Sequence, residues 1–225
     1  MNDLTVLYYS SNRISDFFAD NVRNHLLEAL PLNTPIISIT HRPIKFGFNI
    51  CVGDVGISAW NIYYQIYLGA KEATTKYVTC CEDDSLYVPE HFDYRPKDDE
   101  FAYNVNRGNV NKKEYFFRRN RPGMCMCIAP TKLMIDTLEL RMQKYPREQY
   151  SKDVKIKYYG EPGRYEQELG LPFVKRVHFK TNIPSLTFNH RPSYGGVRAP
   201  LKTDLVSKEI PYWGKAEDLW RRIHG

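Results

Sequence analysis

Residues 74–92, TTKYVTCCEDDSLYVPEHF, carry an apolar run that stops in three consecutive acids, Glu82, Asp83 and Asp84. Adjacent carboxylates repel one another, so holding three together costs free energy unless a cation offsets it. If the chain stays extended, Glu82 and Asp84 point to one face and Asp83 to the other. Two carboxylates so placed can share a hard divalent cation, which prefers oxygen ligands and keeps some waters. A cation held half by protein and half by a diphosphate suits a nucleotide substrate, because it neutralises the leaving group. The plainer reading of the same three residues is a solvated acidic turn.

Other residues invite similar readings. Ser10, Ser11 and Asn12 at a strand end, and Ser58 and Asn61 at a helix start, are short polar groups suited to hydroxyls and phosphates, with capping and turn chemistry as the alternative. His190, in TFNHRPSYGG, precedes a Gly-Gly pair and is flanked by Arg191 and Arg198, which can meet phosphate. The stretch NVNKKEYFFRRNRPG sets five basic residues against one acid and interleaves them with Tyr115, Phe116 and Phe117. Cations with aromatics can bind a phosphate backbone and stack a base; a charged hairpin with one buried aromatic face is the alternative. The five cysteines lack the two-residue gaps of a zinc knuckle and lie mostly in strand-like runs, so they are expected to pack as small hydrophobes.

The elements that must position these groups follow from periodicity. Residues 4–10 and 35–40 read as strands around a helix starting after Ser15, whose apolar positions Phe18, Val22, Leu26 and Ala29 are helically spaced. Residues 41–58, rich in Gly and Pro, read as a loop. Ala59, Ile62, Tyr63, Ile66, Ala70 and Ala73 mark a second helix capped by Ser58, and YVTCC is the next strand. This β–α–β order predicts an α/β fold with a mostly parallel N-terminal sheet, and places the acids at a strand's carboxyl end, where open sheets bind ligands. Short antiparallel strands with turns at 107–111 and 121–123, a helix over 131–145, a short acidic helix after GEPG, a strand in VKRVHFKTN and a C-terminal helix complete the reading. All 225 residues are expected to form one domain, a nucleotide-binding half over 1–92 and an acceptor half over 93–225.

The run 56–92 resembles the central signature of GT-A-type glycosyltransferases, especially family 2. The matching residues are Gly56, Ser58, Ala59, Asn61, Gly69, Ala70, the strand ending in Glu82-Asp83-Asp84, and Pro89. Glu82 replaces the usual first aspartate. Trp60 stands where the family has an arginine, so that arginine's role does not carry over. The resemblance implies a GT-A, Rossmann-like mixed sheet with antiparallel acceptor-side strands, and a UDP-sugar donor held against Mn2+ or Mg2+. It implies Asp84 as direct metal ligand, Glu82 binding through water, His190 as a late metal ligand, and Asp83 on the ribose. The nucleoside would lie near Ser10, Ser11, Asn12, Ser58 and Asn61. An inverting transfer also needs a carboxylate base on the acceptor side, and GEPGRYEQELG offers Glu161, Glu166 and Glu168. Glu166 is the first choice, since it faces the sheet if Tyr165 and Leu169 pack inward.

A narrower resemblance, carried by 53–84 with GEPGR and NHRPSYGG, is to phage glycosyltransferases encoded near TET/JBP-type dioxygenases. It implies a hydroxymethylated pyrimidine in DNA as acceptor, flipped out or met as single strand. A formal charge of +6 and a pI near 8.9 are compatible with that partner. The rivals are a transferase building a surface glycan or lipid-linked sugar, and a catalytically silent nucleotide-sugar-binding module. No apolar run reaches membrane-span length and the N-terminus lacks signal-peptide character, so a cytoplasmic protein without membrane attachment is expected.

Overall fold

Strand β1 (Leu4–Ser10) is buried along its whole length. Its side chains alternate: Leu4, Val6 and Tyr8 enter one apolar cluster while Leu7 and Tyr9 enter another. A strand buried on both faces must lie inside a sheet with helices on each side. The structure, a computed structural model, describes residues 2–117, 121–149, 160–191 and 199–225.

Helix α1 (Asp16–Ala29) starts at the expected cap, where the Ser15 hydroxyl accepts from the Phe18 N–H at 3.3 Å. Strands β2 (Ile36–Thr40) and β3 (Phe48–Cys51) follow. β3 corrects the reading of 41–58 as unbroken loop. Its Phe48 and Cys51 are exposed at the sheet edge, so it carries no apolar signature. Helix α2 (Ala59–Glu72) is capped by Ser58, whose Oγ accepts from the Asn61 N–H at 3.1 Å. Gly69 lies inside this helix. A Cβ there would come within 2.5 Å of Ile39 Cδ1 and 3.1 Å of Leu7 Cδ2, so glycine lets α2 approach the sheet.

β4 (Tyr77–Glu82) pairs in parallel with β1, and β1 with β2 and β2 with β3. β5 (Ser85–Leu86), β6 (Glu100–Asn104), β7 (Arg107–Val110), β8 (Tyr115–Phe117) and β9 (Cys127–Pro130) come next. Helix α3 (Thr131–Lys144), β10 (Lys175–Phe179), β11 (Ser185–Phe188), β12 (Leu205–Ser207), β13 (Glu209–Ile210), β14 (Gly214–Lys215) and helix α4 (Ala216–His224) complete the order. Among the described residues the main sheet runs β10-β6-β9-β4-β1-β2-β3, in which β9 is antiparallel to both neighbours. The expected α/β, Rossmann-like mixed sheet is therefore the one observed. A second sheet, β12-β8-β7-β11-β5, combines antiparallel pairs with the parallel pair β7–β11. It buries Leu86, Val110, Leu186 and Phe188 against Phe18 and Val22 of α1 and Leu219 and Ile223 of α4.

Three further expectations change. Residues 107–110 form a strand rather than a turn, because β7 is held between the adjacent β8 and the distant β11; the turn lies at 111–114, where Asn111 Oδ1 accepts from the Lys113 and Glu114 N–H groups at 2.9 Å each. Residues 161–170 make successive turns instead of a helix. Tyr115 and Phe116 are buried in or beside the second sheet, so among the described residues of the basic stretch these two rings do not present a stacking surface. Arg118, Arg119, Arg198 and the Gly-Gly pair at 195–196 lie outside the described residues. Cys80, Cys81, Cys125 and Cys127 are buried free thiols, as expected, and Cys51 is exposed. Among the described residues no helix is long and apolar enough to cross a membrane.

Candidate active site

The acids sit at the junction of the two sheets. β4 ends at Glu82, Asp83 and Asp84 form a turn, and β5 begins the second sheet at once. The strand does not continue through the acids, so strict alternation does not apply and each carboxylate finds its own partner. Glu82 Oε1 accepts from the Tyr9 hydroxyl at 2.8 Å. Asp83 is held by the Ser10 hydroxyl, which also accepts the Asn12 N–H at 2.8 Å. Asp84, 7% exposed, lies with its Oδ2 3.4 Å from His190 Nε2.

That last approach has a backbone cause. Phe188, the last residue of β11, donates its N–H to the Asp84 carbonyl at 2.8 Å. The chain leaving β11 is thereby returned to the acidic turn, and His190 follows two residues later. Nε2 of His190 is buried and makes no hydrogen bond among the described residues. An imidazole nitrogen and a carboxylate oxygen this close are of the types that could serve together as donors to a divalent cation, and equally that pair with each other. The full trio of Glu82, Asp84 and His190 is not brought together: among the described residues no three His, Cys, Asp or Glu side chains form a metal-holding group. Two protein donors still fit Mg2+ or Mn2+, ions that take their remaining positions from phosphate and water.

Burial and the negative charge of Asp84 push the carboxyls of Glu82 and Asp83 up to about 7 each, against the hydrogen bonds from Tyr9 and Ser10. Burial is the larger cause, and the repulsion read from the sequence adds to it.

The acids open into a cleft of about 440 Å³. Its wall includes Ser11, Ser58, Asn61, Glu82, Asp83, Asp84, His190 and Glu161 from the sequence-based set. Asn61 is 5% exposed; its amide group donates to the Val55 carbonyl and to the Gly56 carbonyl at 2.9 Å, while its Oδ1 is buried without a hydrogen-bond partner among the described residues. Asn12 is not in the wall. It adopts φ 54° and staples the ends of β1 and β2, its Oδ1 accepting from the Arg42 N–H at 2.8 Å. Arg191 is exposed and also outside the wall.

The three candidate bases separate cleanly. Glu168 is exposed and outside the wall. Glu166, the first choice, does face inward but is 4% exposed and ion-paired with Arg141, and it too is outside the wall. Glu161 lines the cleft and pairs with Arg164 at 3.1 Å. Arg107, Arg164 and Gln65, also in the wall, were not singled out from the sequence; Arg121 belongs to the basic stretch 109–123, and Tyr165 was expected only to pack inward. Gln65 Nε2 donates to the Ile39 carbonyl at 2.8 Å and to the Ser10 carbonyl at 3.1 Å, tying the tips of β1 and β2. Arg107 is the one charged residue in FAYNVNRGNV; its Nη1 donates to Cys125 Sγ at 3.0 Å.

No family model and no curated protein matches the sequence. Solved structures similar to the chain include a glycosyltransferase involved in the glycosylation of the major capsid of PBCV-1, with 9% identity, 79% of this chain and 81% of that chain covered, and a TM-score of 0.49. A nucleotidyl transferase from Methanothermobacter shows 11% identity over 62% of this chain and 76% of that chain, at a TM-score of 0.43. The glycosyltransferase GlyE of Streptococcus pneumoniae shows 9% identity over 79% of this chain and 45% of that chain, at 0.45. At that distance they assign this chain no substrate and no activity.

Proposed function

We propose that the chain is a metal-dependent glycosyltransferase that moves a sugar from a nucleotide-sugar, such as a UDP-sugar, to an acceptor hydroxyl. The observation that carries this reading is the meeting, in one cleft wall, of the Asp84–His190 donor pair and a separate carboxylate, Glu161. Asp84 and His190 would hold Mn2+ or Mg2+ directly, and Glu82 would assist through water. The ion supplies positive charge to the leaving diphosphate.

The chain's own residues account for the rest. Ser11, Ser58 and Asn61 offer polar groups to the nucleoside side of the cleft, and Asp83 offers a carboxylate to a ribose hydroxyl. Glu161 takes the proton of the acceptor hydroxyl as its oxygen bonds to the sugar's anomeric carbon. The bond from that carbon to the diphosphate oxygen breaks, and the nucleoside diphosphate leaves with the electron pair. Arg164 orients Glu161 through their ion pair.

For the acceptor we propose a hydroxymethylated pyrimidine in DNA. Arg107, Arg121 and Arg164 bring cationic side chains to the wall, and Tyr165, whose ring lies under the Arg164 guanidinium at 4.7 Å, lines it beside them. A glycan hydroxyl is the second reading, favoured by the burial of Tyr115 and Phe116, which removes the expected stacking platform. A donor screen with Mn2+, read as nucleoside diphosphate release, tests both. Release that depends on hydroxymethylated DNA and not on unmodified DNA supports the first acceptor. Release with oligosaccharide alone supports the second, and saturable nucleotide binding with no release under any condition leaves only the binding module.

A further inference from the structure

We propose that the buried ion pair between Arg141 and Glu166 is a positioning clamp that sets Glu161 in the cleft. The inference rests on the glycosyltransferase reading for the task of Glu161, and on geometry alone for the clamp itself.

Arg141 lies in the last turn of α3 and is 1% exposed. Its Nη1 donates to the Gly160 carbonyl at 2.7 Å, and its Nη2 pairs with the Glu166 carboxylate. The second oxygen of Glu166 accepts from the Gly163 N–H at 2.7 Å. One guanidinium therefore fixes the backbone immediately before Glu161 directly, and the backbone two residues after it through Glu166. The same guanidinium lies over the ring of Tyr63, 5.6 Å from its centroid, and Tyr63 is part of the cleft wall.

Stability alone does not account for this pair. Burying two charges is costly, and apolar side chains of similar volume commonly hold two elements together as well or better. Arg141 Nε is even left without a hydrogen bond among the described residues. An ion pair adds direction, which apolar contact lacks: Nη1 and Nη2 each reach an acceptor in the segment that presents Glu161. The segment does not depend on the clamp for attachment. Tyr103 Oη donates to the Pro162 carbonyl at 2.9 Å, Tyr145 Oη to the Leu169 carbonyl at 3.0 Å and Lys144 Nζ to the Gly170 carbonyl at 2.8 Å. Removing the pair should leave residues 160–171 docked but Glu161 misaligned.

The test is the double variant Arg141→Met with Glu166→Met, which takes out both charges together. With a donor and acceptor that support turnover, kcat should fall at least tenfold while the donor KM stays within about threefold. Adding Glu161→Gln to the double variant should then cost little more, because both changes disable one group. Turnover at the wild-type rate, or losses that multiply, would overturn the proposal. Amide exchange supplies a readout independent of any reaction: protection at Gly163 and Arg164 should drop at least tenfold, with a smaller change at Leu169. Unchanged exchange there also overturns the clamp. If the unmodified protein transfers nothing to any acceptor, the functional reading fails and exchange still decides the clamp. Should the double variant not fold, Glu166→Gln is read by the same two measurements.

Discussion

Asp84 and Glu161 are the residues on which the proposed chemistry turns, and each has a distinct signature when removed. Asp84→Asn keeps the shape of the turn and loses the charge that faces His190; transfer should fall by at least about 10²-fold, measured as nucleoside diphosphate release across a Mn2+ titration. Glu161→Gln should lower kcat by about 10²–10⁴-fold with nucleotide affinity unchanged, as expected for loss of a general base. A third residue makes a prediction about stability. His91 is fully buried among Tyr87, Phe92 and Phe179, and burial pushes its imidazole down to about 3. Above the ordinary histidine value near 6.5 both folded and unfolded chains are neutral there. Below it only the unfolded chain takes the proton, so this residue removes stability as pH falls from about 6.5 toward 3, by up to about 1.4 kcal/mol per pH unit. Urea denaturation at pH 7 and pH 5 should show a smaller acid loss in His91→Leu than in the unmodified protein. The place of the acids was legible because the apolar run of β4 stops where they begin. The choice between Glu161 and Glu166 was not legible. It depends on which acid a buried arginine captures, and Arg141 reads from the sequence as one more cation on an amphipathic helix.

At the scale of elements, the sheet and its helices were readable where burial on one or two faces leaves a period. β1, β2, β4 and the helices capped by Ser15 and Ser58 fall in that class. β3 and β7 do not: the first is exposed at an edge, and the second is four residues, RGNV, whose strand state comes from pairing with β11 far along the chain. The pairing of β11 with β5, also distant in the chain, brings His190 to Asp84, which no spacing in the sequence encodes. Gly69 makes the packing testable. Gly69→Val inserts branched carbons where α2 meets Ile39 and Leu7, and should cost about 1–3 kcal/mol by overpacking, measured by chemical denaturation.

For the whole molecule, the +6 charge matters only through where its cations lie. Lys112 and Lys113 are exposed at the turn between β7 and β8. If the acceptor is DNA, their joint replacement by alanine should weaken binding across sequences alike and reduce the slope of log affinity against log salt by about 2. A glycan acceptor predicts no such slope, so fluorescence anisotropy at several salt concentrations separates the two. The tie made by Gln65 between the carbonyls of Ser10 and Ile39 reaches further than its two hydrogen bonds suggest. Two strand tips tied from below resist spreading, so under the proposed reading the floor of the cleft is formed before a nucleoside arrives. Calorimetry should then find a heat-capacity change no larger than the apolar area covered by the nucleotide itself, without the extra increment that accompanies a protein folding around its ligand.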